Sequence, residues 1–345
     1  MEPIIYALPK IDKNLELSEL IFDRNPSPKL IRYGFNNIND ELDFSIIYAT
    51  DHYKAGLNFD FDRTDKNSIT SKIKSALKIK LNKSNNLVFA EFFEIIATFD
   101  LLAKKQSIWS NLDVDVIEEV VDSYQKNTGS KISNTFLKKL TKDASLIFYR
   151  LSDVDIEENA AVHLIMNQLS TFLSQPKNST LVLQLFGLQT QISAEIIYYL
   201  TSLYDEAYLM KPVVSSSLSN SKYLILIGLK NNTKISVNKQ PTNQYLTSIG
   251  LSNVPDSITT IIQCINSDLI PKRYLTYNLI KGYLDTKVYE GATYQALTEA
   301  QDKYTDQWLN IYLDSSRTSE ILPKAIDHTK AKCASHDKLM NLFAI

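Results

Sequence analysis

The chain has few glycines, two cysteines and no long apolar run. Only 8 of its 345 residues are glycine, whereas loops that hold a nucleotide usually need glycine where the backbone approaches a phosphate or ribose. Cys264 and Cys333 lie far apart in the sequence, which argues against a disulfide framework and fits a reducing compartment. No stretch approaches roughly 18 apolar residues, so no transmembrane helix is predicted. Residues 1–13 lack the charged start and apolar run of a signal peptide.

Neither sign of charge dominates the chain. There are 37 lysines and arginines against 39 aspartates and glutamates, which gives a formal net charge of −2 at pH 7. A nucleic-acid partner would therefore need a local basic patch. With 44% hydrophobic residues, the chain can bury a sizeable core, either in one large α/β domain with appendages or in two modest domains.

The order of the predicted elements is that of an α/β fold. Residues 1–70 predict irregular structure with strands at 45–48 and 58–62. The apolar spacing then predicts helices at 87–102, 114–124, 157–173 and from 193, and strands at 106–110, 145–149, 180–186, 207–210 and 223–227. The helix at 157–173 is expected to bury Leu164, Ile165, Leu169, Phe172 and Leu173. This alternation predicts a doubly wound sheet with helices on both faces.

The last third of the chain lacks this alternation. Residues 230–255 predict a loop, residues 256–315 predict helices rich in tyrosine, and the last thirty or so residues have weak periodicity and predict an arm. The tyrosines are expected to pack in the core or, since aromatic residues are enriched at interfaces, to form an exposed patch for another protein.

A family resemblance lies in residues 89–229. The strand at 180–186, the next helix, a strand ending at Lys211-Pro212, the serine-rich segment 215–221 and a last strand follow one another. This order resembles the carboxyl half of FtsJ-like cap 2′-O-methyltransferases, in the form that large cytoplasmic DNA viruses encode. Upstream, Glu94-Ile95-Ile96 resembles part of the family helix that bears the first catalytic lysine. The resemblance implies a Rossmann-like sheet with its ligands at the carboxyl ends of the strands.

The residues that carry the chemistry of that family are replaced. Such enzymes use a Lys-Asp-Lys-Glu tetrad, whose second lysine takes the proton from the ribose 2′-hydroxyl as its oxygen attacks the methyl group of S-adenosylmethionine. The matching positions are Glu91, Asp153, Gln184 and Ser221, of which Asp153 alone keeps the family's residue. Glu91 reverses a charge. The amide of Gln184 has no usable proton affinity, so it cannot act as a base.

The cofactor loop of the family is replaced as well. Where the family carries Pro-Gly-Gly after its first strand, this chain has Val114, Asp115 and Val116. Their Cβ atoms would stand where the backbone should approach the ligand, and Asp113, Glu118 and Glu119 add acidic charge. The sequence therefore predicts no catalytic residues, no cofactor and no methyl transfer.

One segment of the sequence is densely basic. Between residues 69 and 83, lysines alternate with apolar residues, at Lys72, Lys74, Lys78, Lys80 and Lys83. This pattern is typical of an amphipathic segment with a solvated face. The alternative is a stripe that binds RNA or an acidic partner. These five lysines are the candidate RNA contacts, with weak binding by this chain alone.

The histidines do not form a recognisable site. His163 is predicted to lie on a helix surface. His328, Cys333 and His336 have a spacing loosely compatible with a metal, but no fourth ligand and no Cys-x-x-Cys pair accompany them. No metal site is therefore predicted.

These features predict three regions, namely an irregular extension at 1–85, an FtsJ-like methyltransferase-fold domain at 86–230 and a helical extension at 231–345. A family member without its active site implies a non-catalytic subunit of a viral mRNA capping or transcription complex. The small subunit of the poxvirus capping enzyme, which stimulates the cap guanine-N7 methyltransferase of its partner, is the precedent.

We therefore expect a protein partner, either a capping-enzyme or an RNA-polymerase subunit. We also expect no membrane association and a location in the host cytoplasm or the virion. The alternatives are an active RNA 2′-O-methyltransferase with an altered site, and a virion scaffold protein that kept the fold.

Overall fold

A computed structural model describes most of the chain from residue 86 onward and short parts of the segment before it. The described residues are 3–13, 15–17, 20–23, 71–72, 75–76, 86–153, 155–231, 244–251, 253–286 and 292–343. The strands predicted at 45–48 and 58–62, and the lysines Lys74, Lys78, Lys80 and Lys83, lie outside these residues.

Seven strands form one mixed sheet. Its order is β1 (Ile4–Ala7), β7 (Tyr204–Lys211), β8 (Ser221–Leu229), β6 (Thr180–Phe186), β5 (Leu146–Tyr149), β3 (Ser107–Ser110) and β4 (Thr135–Phe136). Strands β4, β3, β5 and β6 run parallel. Strand β8 is antiparallel to both of its neighbours, and β1 is antiparallel to β7. A separate two-stranded sheet pairs β2 (Ile21–Asp23) with β9 (Tyr245–Ser248).

Helices cover both faces of the large sheet. They are α1 (Asn86–Phe99), α2 (Val114–Thr128), α3 (Glu158–Leu173), α4 (Gln191–Leu203), α5 (Asp256–Thr286), α6 (Ala292–Tyr312) and α7 (Ser315–Phe343). Successive strand residues point to opposite faces, so Ile147 packs with α3, α4 and α5, whereas Leu146 and Phe148 pack with α1, α2, α6 and α7. The predicted α/β, Rossmann-like architecture with helices on both faces is confirmed.

The central strand β6 shows why the sequence forms this sheet. All seven of its residues, Thr180–Phe186, are buried. A continuous apolar run is expected for a parallel strand that is covered on both faces. One hydrophobic core lies on each face of the sheet, and β6 contributes to both. Leu181 and Leu183 belong to one core and Val182 to the other.

The first and last parts of the chain belong to the same core. Strand β1 pairs with β7, and the Thr329 hydroxyl of α7 donates a hydrogen bond to the Ile5 carbonyl at 2.8 Å. Trp308 and Tyr312 of α6 are buried against the sheet. The regions predicted as extensions therefore pack against the central domain.

Two local predictions need correction. The last thirty or so residues were expected to form an arm, but they lie in α7, because Ile321, Ala325 and Thr329 recur at the helical spacing of four and are all buried. Leu164 was expected to face inward, but its side chain is 40% exposed, since the buried stripe of α3 runs through Ala161, Ile165 and Leu169. Among the described residues, no helix is long and apolar enough to cross a membrane.

Candidate functional site

The residues that match the family tetrad lie around the carboxyl ends of the parallel strands. Asp153 follows β5, Gln184 lies near the end of β6, and Ser221 begins the antiparallel β8. Glu91 belongs to α1, which packs on the same sheet. In Rossmann-like folds this edge of the sheet holds the ligands, so it is the candidate site.

A buried carboxylate forms the centre of this site. The Glu91 side chain is 1% exposed and accepts hydrogen bonds from the hydroxyls of Ser215 and Tyr223, both at 2.8 Å. Arg150 is also buried, and it lies near enough to Glu91 and Tyr223 for both to favour its charged form. Burial lowers the pKa of Arg150, but Tyr223, Glu91 and Asp153 together raise it above its usual value. Arg150 is therefore a cation, and it partly neutralises the Glu91 carboxylate.

Arg150, and not Asp153, points into the centre. The Asp153 side chain is 82% exposed and meets Arg150 from outside, with 2.6 Å between its Oδ1 and the Arg150 Nη1. Asp153, the position that matches the family's aspartate, therefore lies at the surface and outside the buried centre. Arg150 occupies the first position after β5, from which a side chain reaches the crevice, whereas Asp153 lies three residues farther on.

Gln184 holds the backbone that follows β5. Its Oε1 accepts hydrogen bonds from the amides of Leu151 at 2.9 Å and Ser152 at 3.1 Å. Ser221 contributes its main chain, since its carbonyl accepts a hydrogen bond from the Lys211 Nζ at 2.8 Å. The two residues therefore fix neighbouring loops.

The turn after β3 is closed by an asparagine. The Asn111 side chain donates to the Arg150 carbonyl at 2.6 Å and accepts from the Arg150 amide at 2.9 Å. It therefore continues the pairing of β3 with β5 past the ends of the strands. Val114, Asp115 and Val116, which match the family's cofactor loop, lie in the first turn of α2, at the start of the predicted helix at 114–124. Asp115 suits that place, because helix amino termini favour carboxylates.

A glutamate of the chain occupies the amino terminus of α4. The Glu158 carboxylate accepts hydrogen bonds from the amides of Gln189 and Thr190 at 3.0 Å, and from the hydroxyls of Thr190 and Ser193. Such helix ends are ready-made anion sites, and here the anion is the chain's own. At Gly187, φ is +79° and a Cβ would lie 2.2 Å from the Glu158 Oε2, so the close approach requires glycine.

Helix α5 covers the carboxyl end of β6. The Asn266 side chain donates to the Leu188 carbonyl at 2.8 Å. Leu188 has φ +101°, a conformation that a bulky residue adopts only when its surroundings hold it there.

Helix α5 also contacts the serine-rich loop. Arg273 donates from Nε to the Leu218 carbonyl at 2.7 Å and pairs with Asp155 at 3.5 Å. Asp155 in turn accepts from the Ser219 hydroxyl and the Asn220 amide, both at 2.6 Å.

Two buried lysines fix the serine-rich loop between β7 and β8. The Lys211 Nζ donates to the carbonyls of Ser219 and Ser221 at 2.9 and 2.8 Å. Lys222 is 1% exposed and donates to the Gly187 carbonyl and to the carbonyl and side-chain oxygen of Asn220. Burial, and to a smaller degree Lys211, lowers the pKa of Lys222 to about 7. Both ammonium groups therefore bind the chain's own oxygens.

A second carboxylate of α1 ties this loop to the carboxyl-terminal helices. Glu94 accepts hydrogen bonds from the amides of Val213 at 2.7 Å and Val214 at 3.3 Å, and from the Trp308 indole at 2.9 Å. Burial raises the pKa of Glu94 to about 7, against the opposing effect of these hydrogen bonds. The residue that resembles the family's helix motif thus has a structural place between β7 and α6.

The other candidate residues lie away from this edge. Lys72 forms an ion pair with Asp306 of α6, and the other four lysines of its segment lie outside the described residues. The ring of His163 is half-buried and makes a 2.9 Å hydrogen bond with the Gln244 carbonyl. Among the described residues, no three histidine, cysteine, aspartate or glutamate side chains form a group that could hold a metal ion.

Several residues of the site were not identified from the sequence. Tyr223 lies opposite Gln184 in the β6–β8 register, which is fixed only once the strands pair. Glu158 and Asn266 bind the segment that follows β6, and both lie far from that segment in the sequence. A signal for Arg150 was present, since it directly follows a predicted strand at the edge where ligands bind.

The comparisons with known proteins give one close relative. No protein family model matches the chain. An uncharacterized protein of Acanthamoeba polyphaga mimivirus is 44% identical to it over 355 aligned positions, which cover 100% of both chains. Identity at this level over the full length means that the two proteins share their fold and ancestry, and the chain therefore belongs to the family of this mimivirus protein.

Proposed function

We propose that the protein is a catalytically inactive relative of FtsJ-like RNA 2′-O-methyltransferases, which serves as a stimulatory or structural subunit of a viral mRNA capping or transcription complex. The observation that carries this proposal is the buried centre of Glu91, Arg150 and Tyr223. It lies beside Gln184, which faces Tyr223 across β6 and β8, and its Glu91 matches the position of the family's first lysine and reverses that charge.

The order of elements supports the fold part of the proposal. Strand β6, helix α4, strand β7 ending at Lys211, the serine-rich loop and the last strand β8 follow one another as they do in the carboxyl half of the family. The loop is held by Lys211, Lys222 and the two carboxylates of α1.

The centre has no group suited to take a proton from a ribose hydroxyl. A general base must come within hydrogen-bond reach of the proton that it removes. Gln184 is an amide, and its oxygen is already bonded to two backbone amides. Glu91 is buried and accepts from two hydroxyls. Lys222, whose lowered pKa would suit a base, is also buried, and its amine is directed at backbone oxygens.

Side chains of the chain itself also fill the edge at which the family resemblance would place a cofactor. Glu158 fills the anion site at the amino terminus of α4, Asn111 bridges the ends of β3 and β5, and α5 covers the end of β6. These contacts favour a protein in which the crevice has become part of the core. They fit neither S-adenosylmethionine binding nor access by an RNA cap.

The proposed function is tested by recovering the protein from infected cells through an affinity tag. We expect a capping-enzyme or RNA-polymerase subunit to be recovered with it, and we expect its addition to that capping enzyme to raise the rate of guanine-N7 methylation. Methyl transfer to cap RNA by the purified chain alone would favour an active enzyme. Recovery in virus particles without either kind of subunit would favour a scaffold.

A further inference from the structure

Seven exposed lysines surround strand β4, which ends the sheet. We call the group the lysine face; its members are Lys104, Lys105, Lys126, Lys131, Lys138, Lys139 and Lys142. Two of them precede β3, one lies in the last turn of α2, and four flank β4 on both sides. None of the seven belongs to the basic segment at residues 69–83, in which the sequence pattern predicted the RNA contacts.

Hydrogen bonds hold the segments that carry these lysines together. The Gln106 amide donates to the Asn134 side chain at 2.9 Å, and the Thr135 amide donates to the Gln106 carbonyl at 3.0 Å. The Gln125 side chain donates to the Ile132 carbonyl, and the Ser145 hydroxyl donates to the Gln106 side chain at 2.6 Å. The loops before β3, β4 and β5 and the end of α2 are therefore held next to one another.

The lysine face has no counter-charge of its own. Residues 101–112 and 123–142 contain all seven lysines and no aspartate or glutamate, although Asp100 and Asp113 adjoin the first stretch and Asp122 and Asp143 the second. Within the described part of the chain, none of the seven is a member of an ion pair. Because the whole chain carries a formal net charge of −2, this face is a basic surface on an otherwise acidic protein.

Edge strands often carry lysine, which prevents pairing with other chains. That role does not account for this density, because β4 has only two residues, Thr135 and Phe136, and neither is a lysine. Such a short edge offers little backbone to protect. We propose that the lysine face binds RNA through its phosphate groups.

The composition of the face favours RNA over a protein or a membrane. Protein interfaces and membrane-bound surfaces use apolar or aromatic anchors. The large exposed apolar side chains of the described residues are Ile21, Leu164, Tyr245, Tyr274 and Leu275, and none lies in the segments that bear these lysines. All seven cations are lysines, which act as point charges, whereas arginine forms the bidentate contacts that read bases. The expected binding is therefore independent of RNA sequence.

This inference does not rest on the proposed function. The face surrounds the edge strand β4, whereas Glu91, Gln184 and Lys222 cluster around β6 and β8. RNA binding by the face would stand without a capping partner. A capping complex could equally form without the face.

The test is a titration of a short fluorescent single-stranded oligouridylate with the full-length chain. Fluorescence anisotropy measures the binding affinity at a series of salt concentrations. The variant replaces Lys131, Lys138 and Lys139 by glutamate. A matched control replaces three other exposed lysines, Lys177, Lys303 and Lys330, by glutamate. Both variants therefore carry the same net charge. Circular dichroism establishes that both variants are folded.

We expect the lysine-face variant to lose affinity about tenfold or more, and its salt slope to fall by about 2, because three phosphate contacts in a single strand are removed. The control should bind as the wild type does, and Lys131→Arg, Lys138→Arg and Lys139→Arg together should retain binding. Equal losses in variant and control, or unchanged binding in the variant, would overturn the proposal. It is also overturned if the variant loses only its binding to phosphatidylserine vesicles.

Discussion

The carboxyl ends of the strands and the lysine face differ in how their charged groups are paired. Around β6 and β8, five charged side chains are in contact with polar atoms of the chain itself, and all but Glu158 are buried. They are Glu91, Arg150, Glu158, Lys211 and Lys222. Around β4, seven ammonium groups are exposed, and none is in an ion pair within the described residues.

The difference separates stability from binding. A buried charge without its partner is costly, so the carboxyl ends are expected to determine whether the chain folds. An exposed lysine contributes little to stability, but several together attract a polyanion. In a catalytic member of the family resembled here, binding would be expected at the carboxyl ends, whereas in this chain it is expected at the β4 edge.

The largest expected effect comes from removing a member of the buried centre. Glu91→Ala should destabilise the protein by about 3–5 kcal/mol, because it leaves the buried hydroxyls of Ser215 and Tyr223 without their acceptor and removes a buried negative charge that favours the Arg150 cation. Asp153→Ala, which removes the exposed partner of the same arginine, should cost less than about 1 kcal/mol. Urea unfolding of the two variants measures both values. Equal losses would mean that the two carboxylates matter alike and that Asp153 belongs to the centre.

The next effect concerns the pH dependence of stability through Lys222. Since burial lowers the pKa of Lys222 to about 7 from its ordinary 10.5, the fold favours the neutral amine. The corresponding stability is present above the ordinary pKa and is lost as the pH falls toward 7.

Lys222→Met should abolish this loss and should leave the protein about 1–4 kcal/mol more stable near pH 7, as replacing buried charge by an apolar side chain often does. Urea unfolding of wild type and variant between pH 7 and pH 10 would show converging stabilities at high pH. Lys177→Met, at an exposed site, is the control and should follow the wild type throughout. Parallel curves for the wild type and Lys222→Met would contradict the expectation.

A smaller effect on RNA binding is expected from the basic segment at residues 69–83. Changing Lys74, Lys78 and Lys80 to glutamate should weaken RNA binding and flatten its salt dependence. We expect a loss of about threefold, smaller than that of the lysine-face variant, because Lys72 at the start of the segment is already paired with Asp306. Anisotropy titrations of the two triple variants decide between the surfaces. A larger loss here would make residues 72–83 the principal RNA contact.

The smallest expected effect is the heat of S-adenosylmethionine binding. Calorimetric titration should give no binding heat, because Glu158, Asn111 and α5 close the edge where the cofactor would lie. Micromolar binding, equivalent to about −8 kcal/mol, would show that the crevice opens and would restore the possibility of an altered but active enzyme.

The elements with strong local patterns could be predicted from the sequence. The helix at 86–99 and the strand at 180–186 agree with the expectation, because one shows apolar residues at spacings of three and four and the other a continuous apolar run. Strand β1 and the packing of helix α7 could not be predicted in this way. Each is stabilised by partners far away in the sequence, β1 by β7 and α7 by β1.

Two residues that the sequence singled out lie close together at this edge of the sheet. Glu91 of α1 accepts a hydrogen bond from Tyr223, and Tyr223 lies opposite Gln184 in the β6–β8 register. The sequence could not predict this contact, because it depends on how β8 pairs with β6 and on how α1 packs on the sheet. Nor could it predict that Arg150, which directly follows β5, is buried whereas Asp153 is exposed.

The pairing of β1 with β7 has a consequence for synthesis of the chain. Residues 4–7 are synthesised some two hundred residues before their strand partner at 208–211, and Thr329 of α7 follows later still. The edge of β1 stays unpaired until β7 has been made, and unpaired strand edges invite association between nascent chains. Pairing of β1 therefore requires synthesis of the whole stretch between the two strands. Deletion of residues 4–7 would leave the edge of β7 open.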